Sequence, residues 1–227
     1  MKRQDLYVIL GIIIVFLPFF LSHSVYDFYT HFNKAHGLIT AFLKFAVLAT
    51  FGEALGLRIR EGIWNRENFG LLPRAVVWGF LGITIKVVFV IFASGTPHFL
   101  EYIGLKNAGK IMSGSLNFNK ILIAFSISTA MNLIYAPVMM TLHKITDIHI
   151  VKHNGKLSCI LKKITFAENF SRINWDVQWN FVLKKTIPFF WIPAHTITFL
   201  LPAEMQVLFA ALLGIALGTI LAFASLK

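Results

Sequence analysis

The sequence predicts an all-α, polytopic transmembrane helical bundle of about six spans, forming one integral membrane domain over residues 1–227. Three observations predict it. First, 57% of the 227 residues are hydrophobic and only 14% are charged, against roughly 25% charged in soluble domains. Second, mean hydropathy is +0.72, and a chain of this length has no aqueous core large enough to hide so much apolar surface. Third, the apolar residues fall in runs near the roughly 20 residues that cross a bilayer, with most Lys and Arg between them. Those basic segments account for the net charge of +11 without a nucleic-acid partner. Cys159 is the single cysteine, which excludes an intrachain disulfide and a cysteine-rich metal site. No cofactor and no metal is expected.

The first run, residues 6–22, follows Lys2 and Arg3. No A-x-A-like cleavage site follows "FFLSHS", so it reads as a retained span and not as a signal peptide. The second, residues 38–57, carries Lys44 and Glu53. The third, residues 75–94, carries Lys86. A charge at the bilayer centre costs about 2.5–3.5 kcal/mol. The twelve Val, Ile, Leu and Phe residues of this run contribute roughly 4–7 kcal/mol on the insertion scale, enough to carry Lys86 in. Helical rise places Glu53 roughly 6–9 Å from the inner end and Lys86 roughly 17 Å from it. Lysine can snorkel across that gap, so a Glu53–Lys86 pair is feasible, either as a structural ion pair or as part of a water-filled path. Lys44 is expected to snorkel outward.

The fourth run, residues 121–142, carries Ser126, Thr129 and Asn132 at i, i+3 and i+6, with Ser128 beside them. That face is expected to turn into the bundle for interhelical hydrogen bonding or pore lining. Pro137 interrupts the helix. Residues 144–184 are expected to lie along the cytoplasmic membrane surface. There Trp175 and Trp179 share a helical face, and Asn154-Gly155 carries the signal of a β-hairpin turn. His143, Asp147, His149 and His153 cluster in sequence, but their spacing matches no specific metal-ligand pattern.

The fifth run, residues 187–202, lies within "KKTIPFFWIPAHTITFLLP" and is short. Pro188 can occupy the first turn of a helix, whereas Pro193 frees a backbone carbonyl and kinks the chain. His195, Thr196 and Thr198 follow, placed to satisfy freed groups or to face a polar cavity. Short, Pro-interrupted spans point to transport sites; a kinked packing helix is the plainer reading. The sixth run, residues 205–225, carries Ala210, Gly214, Gly218 and Ala222 at i+4 spacing, a small-residue packing face. With both termini inside, 15 of the 21 Lys and Arg residues fall on inner segments, 4 on outer loops and 2 within spans. That asymmetry supports six spans with cytoplasmic N- and C-termini, favouring the cell membrane.

The stretch "WIPAHTITFLLPAEMQVLF" resembles the closing motif of the Mpv/PMP family of small mitochondrial inner-membrane and peroxisomal membrane proteins. Ile192-Pro193, Thr198-Phe199 and Leu201-Pro202 stand where that family has Trp-Pro, Asn-Phe and Val-Pro. Asn174-Trp175-x-Val177 resembles its Asn-Trp-x-Val, although it lies farther before Pro193. Gly52-Glu53 resembles its Gly-Asp, and Pro137 its mid-chain proline. The chain departs at Thr196, where the family has Gln, and at Gln206, where it has Arg. The family's Gly-Pro and Trp-Tyr pairs are absent. The resemblance covers roughly residues 36–224 and implies a diverged member, with a channel for small solutes or ions as the implied activity.

The leading expectation is therefore a channel or transporter-like pore and not an enzyme. Its candidate polar lining is Glu53, Lys86, Asn132, His195, Thr196 and Thr198. The alternative is a non-catalytic assembly or lipid-organising protein that uses the span-six face and the basic inner segment. A lipid-modifying enzyme is disfavoured by the lack of a nucleophile elbow, an H-E-x-x-H motif or paired acids at the inner face. The expected partners are the lipid bilayer and anionic head groups at the inner face, with a homo-oligomer left open.

Overall fold

The computed structural model describes residues 2–226; Lys227, part of the basic inner count, lies outside them. Among the described residues the chain consists of helices joined by short turns and contains no strand. Helix α1 (Arg3–Leu21) buries none of its residues and is tied to the bundle at its start. The Asp5 carboxylate accepts from Arg58 Nε at 2.7 Å, Arg58 Nη2 at 2.8 Å and Trp64 Nε1 at 2.9 Å. Lys2 Nζ donates to the Gly62 carbonyl at 2.8 Å. The start of α1 and the end of α3 (Gly37–Glu61) therefore share one end of the molecule, the arginine-rich end. Helix α2 (His23–Ala35) links them at the far end, its first turn closed by Ser22 accepting from the Val25 N–H.

Helix α3 stops at Gly62, whose φ of 73° supplies the left-handed residue that ends a helix. Helix α4 (Leu71–Tyr102) runs back to the far end. Helices α5 (Ala108–Ser113) and α6 (Phe118–Ile134) turn the chain around, and α7 (Ala136–Lys152) continues α6 after a 44° bend. The bend falls at Tyr135, two residues before Pro137. The missing N–H of Pro137 leaves the Leu133 carbonyl without its helical partner and opens the turn there.

Helix α7 runs on to Lys152, ten residues past the expected end of the fourth span at Leu142. Asn154 and Gly155 have φ of 55° and 64°, the left-handed pair that a hairpin turn requires. Here they end α7 instead, with Gly155 N–H donating to the Ile150 carbonyl at 2.9 Å. The turn signal was sound and the strands were not, because both flanks have helical partners to pack on. A 3₁₀ turn (Leu157–Leu161) and helix α8 (Phe166–Ser171) follow.

From Trp175 to Leu200 the chain is continuously helical but changes type. Helix α9 (Trp175–Val177) leads into a π-helix (Gln178–Trp191), which gives way to α10 (Ile192–Leu200). Thr186 Oγ1 donates to Phe181 O, five residues back, in step with the wider π repeat. Pro188 lies inside the π-helix and not in a first turn. Pro193 is the second residue of α10, directly after the change from the π to the α repeat.

Four helices, α1, α3, α4 and α11 (Ala203–Ala224), are long and apolar enough to cross a membrane, and the bent α6–α7 pair makes five. They are the helices of a membrane-embedded, multi-pass protein. The main core packs Phe45, Phe89, Ile127, Met131, Phe199 and Ala211 together, in the half of the bundle toward the far end. Helix α11 lies along α3 on its small-residue face. A Cβ on Gly218 would sit 3.2 Å from Gly52 O, and one on Gly52 would sit 3.0 Å from Ile215 Cα. The small residues thus bring two helices of one chain together, so this face gives no support to a homo-oligomer. Gly218→Leu is expected to lower stability by about 1–3 kcal/mol through overpacking, read as earlier thermal unfolding in detergent. Gly214→Leu, with nothing within 4 Å of its Cβ position, is expected to unfold with the wild type.

Candidate functional site

The half of the bundle nearer the arginine-rich end encloses a cavity of about 750 Å³. Arg60, Arg66 and Lys144 line one end; Asn132 and His195 line the other. Between them α3, α4 and α7 bring four ionisable side chains together. Arg74, in the first turns of α4, donates from Nη1 to Glu53 Oε2 and to Asp147 Oδ1, both at 2.6 Å. Its Nε donates to the Phe69 carbonyl at 2.7 Å, and its guanidinium lies 4.7 Å from the centre of the Phe69 ring. His143 Nε2 sits 3.2 Å from Glu53 Oε1 and 3.7 Å from Asp147 Oδ1. Trp78 Nε1 donates to Glu53 Oε1 at 3.0 Å, and its ring packs 4.3 Å from that of His143.

The deep end is held by a chain of hydrogen bonds between α6 and α10. Ser128 Oγ donates to Ile192 O at 2.7 Å. Asn132 Nδ2 donates to Ser128 O at 2.8 Å and reaches His195 Nδ1 at 3.1 Å. The His195 ring stacks on Trp191 at 5.1 Å and meets Phe89 edge-on at 5.6 Å. The inward positions of α6 are thus Ser128 and Asn132, at i and i+4, rather than the expected i, i+3, i+6 stripe. Ser126 returns its hydroxyl to Leu122 O at 2.9 Å.

Glu53, Asn132 and His195 line the cavity, as do Ala210, Gly214 and Gly218 from α11. Lys86, Thr196 and Thr198 do not. Thr196 and Thr198 donate back to Ile192 O at 2.7 Å and Ala194 O at 3.0 Å, each four residues earlier on their own helix. Lys86 leans the other way from Glu53: its Cε lies 3.5 Å from where a Cβ on Gly37 would stand, at the far end of α3. The Glu53–Lys86 pair is replaced by Glu53–Arg74. Helix α4 begins at Leu71, before the expected start of its span at Ala75. That draws Arg74 into the helix at the level of Glu53, while Lys86 stands twelve residues, about 18 Å, farther along. Lys44 reaches outward to Asn33 Oδ1 at 2.6 Å.

Sequence reasoning missed Arg74 and Trp78, and it grouped His143 and Asp147 with His149 and His153 instead of with Glu53. The signal was present as two i, i+4 pairs, Arg74 with Trp78 and His143 with Asp147, each on one helical face. Paired acids do meet here, through α3 and α7. His149, by contrast, is buried against the Cys159 carbonyl at 2.9 Å and takes no part in the cluster.

Single ligand atoms of Glu53, His143 and Asp147 lie within 4.8 Å of one another, a donor set of the kind that holds divalent metals. The fit fails on Arg74, whose guanidinium already bridges both carboxylates as the resident cation. The four side chains are suited to holding three helices together beside water and to exchanging a proton at His143. Comparison with protein-family models, curated proteins and solved structures returns no match, so this geometry carries the functional argument. Removing one partner of a buried ion pair costs about 3–5 kcal/mol. Arg74→Ala is expected to destabilise by that order in thermal unfolding, and Arg74→Lys by less, since it keeps the charge but loses the fork.

Proposed function

We propose that the protein is a channel or transporter-like membrane protein for small solutes or ions, a diverged member of the Mpv/PMP family, and not an enzyme. One observation carries the reading. Polar side chains at membrane depth converge on a common interior cavity, where non-apolar groups are tolerated only if they face protein or water. The cavity opens among the arginines and is closed at the other end by the apolar core, a one-sided arrangement suited to a carrier or a shut channel. The proposed topology completes six spans by counting the π-helix with α10, and places both termini and the arginine-rich end in the cytoplasm of a cell-membrane protein. Against an enzyme, Glu53 and Asp147 are both engaged by Arg74, which leaves neither carboxylate free to act as a base.

Reconstitution into liposomes tests this. Flux of ions or small metabolites above that of empty vesicles is expected, and Gly214→Leu, which adds bulk to the cavity wall, is expected to lower it about tenfold, equivalent to 1.4 kcal/mol. A broad panel with no flux above background refutes conduction.

The surface beside the arginine-rich end favours a second, lipid-organising role. Leu161, Phe166, Phe170, Trp175 and Trp179 are exposed there beside Lys162, Lys163 and Arg172. A basic residue near an anionic membrane surface is worth about 1 kcal/mol. Replacing those three by Gln is expected to reduce the share of anionic lipid that stays with the purified protein, read by mass spectrometry of retained lipid.

A further inference from the structure

We propose that the cavity binds a single-chain anionic amphiphile, with its charged head at Arg60, Lys144 and Gln178 and its apolar body along the wall toward Trp191. The inference names a solute class for the conducting path above and rests on that reading for transport, but not for binding. The charge comes first. Arg60 and Lys144 line the open end of the cavity, and neither has a carboxylate partner among the described residues. The nearby acids are occupied: Glu53 and Asp147 by Arg74, and Glu61 by Arg66 at 2.7 Å. Gln178 also lines the cavity and is only 5% exposed, yet its Nε2 has no acceptor. Helix packing brings these groups to one level. Ala136 and Met140 of α7 pack on Ile187, Leu183 and Trp191 of the π-helix. The next turn of α7 therefore sets Lys144 beside the start of the π-helix, where Gln178 stands. Two free cations and a buried orphan donor call for an anion with several acceptor oxygens, a carboxylate or a phosphate monoester.

The body comes second. Beyond that mouth the wall includes Met139, Met140, Val182 and Leu217, which a small hydrophilic anion would leave unfilled. The volume of about 750 Å³ suits one medium-sized ligand. The access route is lateral as well as axial. Helix α11 follows α3, while the π-helix follows α6, α7 and α10, and the cavity occupies the wedge between them. An amphiphile in the surrounding bilayer can slide its chain in through this wedge while its head stays among the arginines. Deeper still, Trp191 Nε1 has no acceptor. That donor suits an ester carbonyl or a hydroxyl on the body.

The test uses full-length protein in phosphatidylcholine nanodiscs. The labelled probes are monopalmitoylglycerol phosphate, palmitate, uncharged monopalmitoylglycerol and inorganic phosphate. Saturable binding of the two anionic amphiphiles is expected, at least tenfold tighter than the uncharged one, with the ester-bearing phosphate ahead of palmitate and no binding of inorganic phosphate. The exposed positions in Arg60→Gln/Lys144→Gln are expected to weaken anionic binding tenfold and leave the unfolding temperature unchanged. A diazirine-bearing palmitate is expected to label Met139, Met140 or Leu217 in the wild type, which keeps the question open to decision should the variant unfold. Equal binding of the uncharged analogue, binding of phosphate alone, or labelling confined to lipid-facing α1 each overturns the proposal. Binding without flux overturns conduction and spares this inference; flux without amphiphile binding does the reverse.

Discussion

One guanidinium held between two carboxylates fixes the geometry of the arginine-rich half of the molecule. Arg74 belongs to α4, Glu53 to α3 and Asp147 to α7, and both contacts are 2.6 Å long. No one of these helices can rotate or slide by a residue without leaving a charge unmet at membrane depth. Replacing such a group by apolar side chains can be neutral, whereas removing one member is severe. The cluster therefore specifies helix register more than it adds stability. It also leaves a charge to account for. Two carboxylates against one guanidinium carry one excess negative charge, and His143, in reach of both acids, cancels it when protonated. A cavity open to water at that end gives the proton a route in and out.

Two further devices give the cavity its shape. Gly52 and Gly218 let α3 and α11 approach backbone to backbone, which commits α11 to the α3 side. On the opposite side, the 44° bend before Pro137 redirects α7, and the π-helix follows α7 through Ile187 and Leu183. A cavity results because close packing on one flank and a bend on the other draw the walls apart. Gly52 and Glu53 are adjacent in sequence and sit on neighbouring faces of α3, so one turn of helix both recruits α11 and anchors Arg74.

The apolar helices were legible because hydropathy depends on composition alone: α1, α3, α4 and α11 all overlap expected spans. Glu53, Asn132 and His195 were legible as polar groups that lipid would reject. Their partners were not, because partner choice depends on helix ends. Starting α4 at Ala75 left Arg74 in a loop, and ending the fourth span at Leu142 put His143 and Asp147 on the membrane surface. An error of a few residues at each boundary removed three of the four charged members of the site. The threonines failed for another reason. A hydroxyl can return to the carbonyl four residues back, so Thr196 and Thr198 needed no cavity. Asn154 and Gly155 show the limit of turn chemistry, since left-handed φ at two residues closes a helix as readily as a hairpin.

Charge is sorted along the bundle axis, with Arg60, Arg66 and Lys144 lining the cavity at one end only. Lys44 and Lys86 both lean toward the far end, one onto Asn33 and the other toward Gly37, so neither brings water into the interior there. The space they leave is filled by the aromatic and aliphatic core, with Phe89 and Phe199 at 5.1 Å and His195 edge-on to Phe89. At the arginine-rich end the charged groups turn inward onto one another and keep the helices apart. The Phe89–Phe199–His195 contact, made between α4 and α10, closes the cavity at the other end. Helix α10 joins the π-helix at Trp191–Ile192, where the hydrogen-bond register changes. Ser128 and Asn132 of α6 hold α10 in place there, through Ile192 O and His195 Nδ1. Hydrogen bonds and aromatic contacts thus fix the closed end, as the Arg74 ion pairs fix the open one.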